Sequence, residues 1–408
     1  MASYKVDMYK IQGILLSLLF NANILYLFSM PPGIVNALIT VMLFAAFFVS
    51  DWRQIFFHIS TKISWLAGVI IVFLSYGCIS LFFSPSLFGF SLFFKYLVIT
   101  GIVYIASQQP IRSMQMFVAF TIILNVLLGI ISIANLDFVR ANDTVNYLTI
   151  TYALGITFII CFIKSIDARK WKVLFIALTI LIFAAMLRYP SRGTLLFSIF
   201  TCLFYLLYIS RRSLKFKIIV FFILVIATVT LIYVWNQYLV DSYLAYRFRL
   251  LFQQIDEESR ILLYKDVLGL IREHWFFGTG IGNSGILLAD DPRVYPHNIF
   301  LESCLVMGLV GLFSFTLIVL LSLRTSIRSM QWGHLGVIFL FALLFGLLTY
   351  QKSFASWYWH YLFMFAGVSA ALLKQNRAHV NFSLYTLKKT KETGTDRTAA
   401  RWNSERSR

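Results

Sequence analysis

Long apolar stretches alternate with short polar turns over most of this chain. A helix of roughly 17–22 apolar residues is long enough to cross the ~30 Å hydrocarbon layer of a bilayer. The pattern predicts about twelve such helices. They lie near residues 11–29, 34–50, 64–83, 90–107, 114–133, 147–165, 173–187, 194–210, 218–235, 298–322, 335–350 and 356–373. We therefore predict an all-α polytopic membrane protein.

One long polar segment interrupts this pattern between Asn236 and His297, and a polar tail follows the last apolar stretch. The tail is rich in threonine, lysine and arginine and has no periodic apolar face, so it is predicted to be disordered. The predicted organisation is helices 1–9 in residues 1–235, a polar loop in 236–297, helices 10–12 in 298–373 and the tail in 374–408.

Positive charge is unevenly distributed between the two sets of alternate short loops. The rich set holds Arg53, Lys62, Arg112, Lys164, Arg169, Lys170, Lys172, Arg211, Arg212, Lys215, Lys217, Arg324 and Arg328. The poor set holds Arg140, Arg188, Arg192 and Lys352. The positive-inside rule places the rich set and both termini in the cytoplasm, and the long loop on the opposite, outer side.

Composition supports a membrane protein. The chain has 408 residues, of which 60% are hydrophobic and 13% charged, whereas a soluble domain averages about 25% charged. A net charge of +18 would suggest a nucleic-acid partner in a soluble chain,. Basic cytoplasmic loops explain that charge here, and no nucleic-acid partner is predicted. The cysteines all lie in apolar stretches without metal-ligand or disulfide spacing: Cys78, Cys161, Cys202 and Cys304,.

The first candidate for chemistry is Pro296-His297-Asn298, directly before an apolar stretch. Proline favours the first turn of a helix, so His297 is predicted at a helix N-terminus, where amides and the helix dipole attract anions. A histidine there can exchange a proton near neutral pH. Glu302, about one turn further along, could orient His297 or share its proton. The alternative is a histidine that merely caps a helix at the membrane interface.

The turn from Arg188 to Gly193 also lies directly before an apolar stretch, so it too is predicted to lead into a helix N-terminus. Ser191 is a predicted N-cap, and Arg192 stands beside a second outward helix N-terminus. Arginines on the outer side break the positive-inside pattern, and a phosphate group suits a guanidinium fork. The alternative is that Arg188 and Arg192 bind lipid headgroups.

The long loop contains a predicted amphipathic helix at the bilayer surface, because apolar residues recur at 261, 264, 268 and 271,. Arg260 begins this helix. It is either a site residue or the ion-pair partner of the acidic run 256–258. Further along, the glycine-rich run 278–282 is predicted to be a tight turn and not a nucleotide-binding loop.

Nothing in the sequence predicts a metal site. Asp290-Asp291-Pro292 has adjacent acids, without the Asp-x-Asp spacing or a His or Cys cluster, and is predicted to be a turn,. The first outer turn, Met30-Pro31-Pro32-Gly33, contains no acid. We therefore predict no metal and no cofactor.

Five segments follow one another in order on the predicted outer side: Ser191-Arg192-Gly193, Arg260, Trp275-Phe276-Phe277-Gly278-Thr279-Gly280, His297-Asn298 and Gly308-Leu309-Val310-Gly311. In this order and on this side of the membrane they resemble the O-antigen polymerase and ligase superfamily. The motif-bearing part runs from about residue 188 to 311, whereas the earlier stretches are similar in hydropathy alone.

The resemblance implies a bacterial inner-membrane glycosyltransferase that uses undecaprenyl-diphosphate-linked glycans on the periplasmic face. The family's essential residues would fall on Arg192, Arg260 and His297, with Arg188, Ser191, Asn298 and Glu302 expected to bind substrate. Expected partners are the membrane lipid, a flippase and a chain-length regulator. Pro-His-Asn followed by a glutamate favours a polymerase, with the ligase as the alternative.

A transporter or lipid-glycan flippase is the alternative from another class. Transporters place polar residues near the bilayer midplane, often in broken helices. Here mid-span polar residues such as Asn23 and Asn125 are scattered, and the charges gather at the outer surface. This distribution favours an enzyme.

Overall fold

The computed structural model describes most of the chain. The described residues are 2–21, 32–48, 65–83, 87–93, 99–134, 147–168, 170–189, 191–209, 213–222, 226, 230, 259–290, 294–351 and 361–374. Within them the backbone forms helices joined by turns. Residues 231–258, which hold the first part of the predicted loop, and the tail from 375 onward lie outside the described residues.

The helices follow the apolar stretches that the sequence defines. In chain order they are α1 Ala2–Phe20, α2 Pro32–Phe48, α3 Trp65–Phe83, α4 Leu87–Leu92, α5 Ile99–Ala106, α6 Ile111–Ala134, α7 Tyr147–Asp167, α8 Lys172–Leu187, α9 Arg192–Phe204, α10 214–222, α11 Ser259–Glu273, α12 Ser284–Ala289, α13 Ile299–Ser329, α14 His334–Tyr350 and α15 Tyr361–Lys374. A π turn, Tyr205–Ile209, extends α9, and a 3₁₀ turn, Met330–Trp332, follows α13.

Four of the described helices, α3, α6, α7 and α13, are long and apolar enough to cross a bilayer. The apolar window of α7 is 94% buried and that of α3 only 28%. An apolar helix buried all round belongs to the interior of a bundle, whereas one exposed on most of its surface suits a lipid environment. The fold is therefore that of an all-α polytopic membrane protein. The total of about twelve spans stays a prediction.

Helices α1 and α6 run parallel and are joined by a ladder of buried polar side chains. Gln12 pairs with Ser113 (3.1 Å), Ser17 with Thr121 (2.8 Å) and Asn21 with Asn125 (2.9 Å). Residue numbers rise together along the ladder, which requires helices that run in the same direction. The interpretation of Asn125 as a scattered polar residue was therefore wrong. Sequence periodicity does not reveal a partner about a hundred residues away. Asn23 lies outside the described residues.

Gly13 permits the close approach of these two helices. A Cβ atom at this position would lie 2.3 Å from the carbonyl oxygen of Ser113 and 2.7 Å from the Cβ of Met116. Backbone must move to accommodate even one methyl group. Small residues at such crossings are typical of packed membrane helices.

We expect Gly13→Ala to lower the stability of the purified protein by about 1–3 kcal/mol, because overpacking displaces α1 from α6. Gly269→Ala is the matched control. A Cβ atom added at Gly269, in α11, would meet no other atom within 4 Å, so the change should be neutral or stabilising by up to about 1 kcal/mol. Thermal unfolding in detergent compares the two, and equal melting temperatures would contradict the close contact.

Hydrogen bonds between distant segments sort the helix ends into two groups. At one end, Asn298 contacts Gln351 (3.1 Å) and Ser132 contacts Tyr189 (2.6 Å). We refer to this as the Asn298 end.

At the opposite end, Asp167 accepts a hydrogen bond from Tyr205 (2.5 Å) and lies 3.2 Å from Nδ1 of His334. Lys374 donates to Gln108 (2.9 Å) at the same end. We refer to this as the Asp167 end. The starts of α9 and α13 both lie at the Asn298 end, so the fold brings the two predicted helix N-termini to one side of the bundle.

Candidate functional site

Asn298 is the N-cap of α13. Its backbone is extended (φ −141°, ψ 120°), and its side-chain oxygen accepts hydrogen bonds from the amides of Phe300 (3.0 Å) and Leu301 (3.1 Å). The amide group of the same side chain donates to Oε1 of Gln351, the residue that ends α14. One side chain therefore satisfies the start of α13 and ties it to a neighbouring helix.

We expect Asn298→Ala to destabilise the protein by about 0.5–2 kcal/mol, because two first-turn amides lose their acceptor. Asn298→Asp is the matched control, since a carboxylate still accepts from both amides and suits the helix dipole. Thermal unfolding of both variants in detergent measures the difference. If the aspartate variant were as unstable as the alanine variant, the hydrogen bond to Gln351 would matter more than the cap.

His297 immediately precedes this cap and has an uncommon backbone conformation. Its φ is 56°, in the left-handed region that non-glycine residues rarely adopt,. Its half-buried ring packs on Tyr295, with ring centroids 4.2 Å apart. The predicted helix N-terminus is present, with the helix itself beginning at Ile299. The backbone conformation of His297 and its contact with Tyr295 therefore hold an imidazole beside the start of α13.

Glu302 lies in the first turn of α13, and its backbone amide donates to the carbonyl of Asn298 (2.9 Å). Its side chain is only 3% exposed. The positive end of a helix dipole stabilises a carboxylate in this position. His297 precedes the first residue of the helix, Ile299, and the predicted role of Glu302 in orienting His297 or sharing its proton stays a prediction.

The start of α9 carries the second set of predicted site residues. Ser191 occupies the N-cap position, as predicted, but its hydroxyl is bonded to the hydroxyl of Thr194 (2.6 Å) and caps no backbone amide. Ser191 is 7% exposed, whereas Arg188 is exposed. Arg192 is the first residue of α9, and its side chain lies outside the described part of the structure.

Tyr189 holds this turn against α6. Its hydroxyl lies 2.6 Å from that of Ser132, and its side chain is 5% exposed. Burial raises the pKa of Tyr189, and the hydrogen bond to Ser132 offsets part of that rise. The hydroxyl stays neutral at physiological pH and anchors the turn. The sequence analysis did not select Tyr189, because nothing local marks the partner in α6.

The predicted amphipathic helix is present as α11, with Arg260 as its second residue. The side chain of Arg260 and the acidic run 256–258 lie outside the described residues. Val267 is completely buried and Leu268, on the predicted apolar face, is 55% exposed. Helix α11 packs against α13, and the contact of its apolar face with the bilayer surface stays a prediction.

A break in α13 is the main feature that the sequence analysis missed. Gly308 has φ 61° and ψ −158°, which divides the helix into residues 299–307 and 309–329. Trp275–Gly280, which we call the clamp segment, lies against the break. The amide of Thr279 donates to Leu305 (2.8 Å) and that of Gly280 to Val306 (3.0 Å). In return, the amide of Leu309 donates to Trp275 (2.8 Å).

Two glycines make this contact sterically possible. A Cβ on Gly278 would lie 2.5 Å from the backbone nitrogen of Gly308, and a Cβ on Gly308 would lie 2.1 Å from the carbonyl oxygen of Phe276. The glycine-rich run is a turn, as predicted, with positive φ at Gly278, Gly280 and Gly282. Amides of this turn donate hydrogen bonds to the carbonyl groups of α13 that have no partner within the helix because of the break.

Helix packing relates these parts to one another. Helix α11, which begins near Arg260, packs on α13, and α9, which begins at Arg192, packs on α14. The end of α14 is tied to Asn298 through Gln351.

Asp290, in the predicted turn, ends α12 in a left-handed conformation (φ 52°), and Asp291 and Pro292 lie outside the described residues. Among the described residues, His, Cys, Asp and Glu side chains form no group of three or more.

Comparison with known families matches residues 176–316 to a family described as O-antigen ligase. The matched region covers the starts of α9, α11 and α13, the clamp segment and Gly308. The comparison with curated proteins gives no significant match. The family match confirms the resemblance to the O-antigen polymerase and ligase superfamily, and with the apolar helices it supports a membrane enzyme of the glycosyltransferase type.

Proposed function

We propose that this protein is an inner-membrane glycosyltransferase that polymerises undecaprenyl-diphosphate-linked repeat units into O-antigen or capsular polysaccharide on the periplasmic face. The observation that carries the proposal is the helix start at Asn298, preceded by His297 and lying within the family match. The uneven positive charge of the loops supports the orientation, with the Asn298 end outside and the Asp167 end and both termini in the cytoplasm.

The reaction breaks a bond between a sugar and a lipid diphosphate, so it needs a group that stabilises the departing diphosphate. Helix N-termini and guanidinium groups attract phosphate oxygens. The start of α9 offers both at Arg192, and Arg260 near the start of α11 offers a second guanidinium. Arg188, four residues before Arg192 in the chain, is exposed. These groups would replace the metal ion that many glycosyltransferases use.

The reaction also needs a base that takes a proton from the acceptor hydroxyl. An imidazole can take up a proton near neutral pH, and His297 is held at the surface of the Asn298 end by its turn and by Tyr295. Asn298 fixes the helix start beneath it. The buried carboxylate of Glu302 would favour the protonated imidazole as the proton is taken up,.

Gene deletion in the host, followed by electrophoresis of the cell-surface glycolipid, tests this function. Loss of a polymerase leaves core carrying a single repeat unit. Loss of a ligase, the second candidate, leaves bare core and long polymer on its lipid carrier. The description of the matched family as O-antigen ligase favours that candidate, whereas the Pro-His-Asn-Ile-Phe-Leu-Glu sequence favours the polymerase. For a capsular product, the capsule is assayed in the same way.

A lipid-glycan flippase is the alternative from another class. The polar pair Asn21 and Asn125 within the bundle is explained by their mutual hydrogen bond, so it does not by itself indicate a transport path. Liposomes that contain the purified protein and a lipid-linked glycan separate the two functions. Transfer of the glycan across the bilayer without a new glycosidic bond would overturn the proposal.

A further inference from the structure

The clamp segment lies at the depth of a membrane leaflet, although it belongs to the long polar loop. The unbroken half of α13, residues 309–329, ends in a polar part at the Asp167 end that Arg324 and Arg328 mark. Gly308 precedes Leu323, the last residue before that part, by about 15 residues, or ~22 Å of rise. The hydrocarbon layer of a bilayer is ~30 Å thick. Gly308, and the clamp segment bonded beside it, therefore lie inside the hydrocarbon layer.

A second helix gives the same depth independently. The hydroxyl of Tyr76 in α3 donates to the carbonyl of Phe277 (3.4 Å). Tyr76 precedes the end of α3 at Phe83 by two helical turns, or ~10 Å,. Phe277 thus lies about two helical turns short of the end of α3, which is itself apolar and only 28% buried. Both neighbours place the clamp segment within the leaflet at the Asn298 end.

The segment presents its backbone to the protein and its aromatic side chains to the exterior. Residues 278–282 are buried, and their hydrogen bonds to α13 meet the requirement that irregular backbone at membrane depth be covered by protein. In contrast, Trp275, Phe276 and Phe277 are 57%, 44% and 49% exposed. On α13 beside them, Leu309 is 47% and Phe313 64% exposed.

We propose that Trp275, Phe276 and Phe277 form a re-entrant anchor that contacts the lipid acyl chains of this leaflet. The anchor sets the depth of the half-helix 299–307, because the same segment is hydrogen-bonded to the carbonyl groups at its end. His297 and Asn298 stand at the beginning of that half-helix. The consequence for catalysis rests on the proposed function, whereas the lipid contact does not.

Spin-label accessibility tests the lipid contact directly. Single cysteines are placed at Phe276, at Phe313 as the lipid-facing reference and at exposed Asp290 as the polar reference, in a full-length variant whose native cysteines are replaced by serine. The labelled proteins are reconstituted in phosphatidylethanolamine–phosphatidylglycerol vesicles. We expect the ratio of oxygen to nickel-chelate accessibility at 276 to resemble that at 313 and to exceed that at 290 by at least about threefold.

Three outcomes would overturn the anchor. A ratio at 276 equal to that at 290 would place the segment in water. A label inaccessible to both reagents would mean that protein, such as a second copy of the chain, covers the patch. A lipid-like ratio that appears only after undecaprenyl phosphate is added would assign the patch to the carrier lipid and not to bulk lipid.

Activity variants test the positioning role. We expect Phe276→Asp to lower kcat at least about tenfold with a smaller change in KM, and Phe276→Leu to stay within about twofold of the wild type. Ala289 is exposed on α12, so Ala289→Asp is the control for the added negative charge. Its kcat should also stay within about twofold of the wild type. Normal kcat for Phe276→Asp, with the lipid-like spin-label result, would overturn the positioning role. Failure of the proposed function would appear separately, as full activity of His297→Ala.

Discussion

Replacing His297 is expected to reduce glycan transfer by about 10²–10⁴-fold, because the acceptor hydroxyl loses its general base. Glycine and alanine differ in their backbone effect. Glycine adopts the observed φ of 56° without strain,, whereas alanine keeps the strain of roughly 1 kcal/mol that histidine already bears there. We expect His297→Gly and His297→Ala to be equally inactive at equal membrane abundance, as measured by the glycolipid ladder and by transfer from a purified lipid-linked donor.

Two further measurements separate a chemical role of His297 from a structural one. Imidazole added to His297→Gly should restore part of the activity, since the small base can enter the space that the side chain leaves. Tyr295→Phe keeps the ring that packs on His297 and should retain most of the activity. If His297→Gly kept full activity, the helix start at Asn298 would not be the catalytic site.

The second large effect is expected at Arg192. Arg192→Ala should lower the transfer rate by about 10²–10³-fold, which is typical for the loss of one group that stabilises a developing negative charge. Arg192→Lys should recover only part of the rate, because an ammonium group keeps the charge but not the paired donors of a guanidinium. Steady-state rates with a lipid-diphosphate-linked donor measure both variants.

Arg188→Ala is the matched control for Arg192, since both arginines lie in the same short turn and Arg188 is exposed. We expect a loss of less than about tenfold at Arg188, because a screened, exposed charge contributes little. Equal losses at the two positions would indicate that the turn acts through its summed charge, as in binding to lipid headgroups, and not through a guanidinium aligned with the start of α9.

Structural features that depend on a single segment of the chain could be predicted from the sequence. Apolar length predicted the membrane helices, and the sequence Pro296-His297-Asn298 before an apolar run predicted the start of α13. Helical spacing also predicted α11. In each case the physical cause, whether hydrophobic burial or the unsatisfied amides of a first turn, acts between residues a few positions apart.

Structural features that depend on contacts between distant segments could not be predicted from the sequence. Residues 299–329 appear as one uninterrupted helix in the sequence, because glycine is common in membrane helices and the amides that cover the break at Gly308 come from the clamp segment. Likewise, Ser191 bonds to Thr194 in place of a first-turn amide, a choice between two nearby partners that composition does not determine.

The break at Gly308 also bears on the order in which the protein assembles. The hydrogen bonds of the clamp join residues about thirty positions apart, so the loop they close is short and costs little entropy. The hydrogen bond between Gln108 and Lys374 spans far more of the chain. The hydrogen bond between Ser326 and Ser369 can form only after α15 has been synthesised. During synthesis, α11 and α13 can thus associate as soon as α13 has entered the membrane, and α14 and α15 then dock onto a half-helix whose geometry is already set.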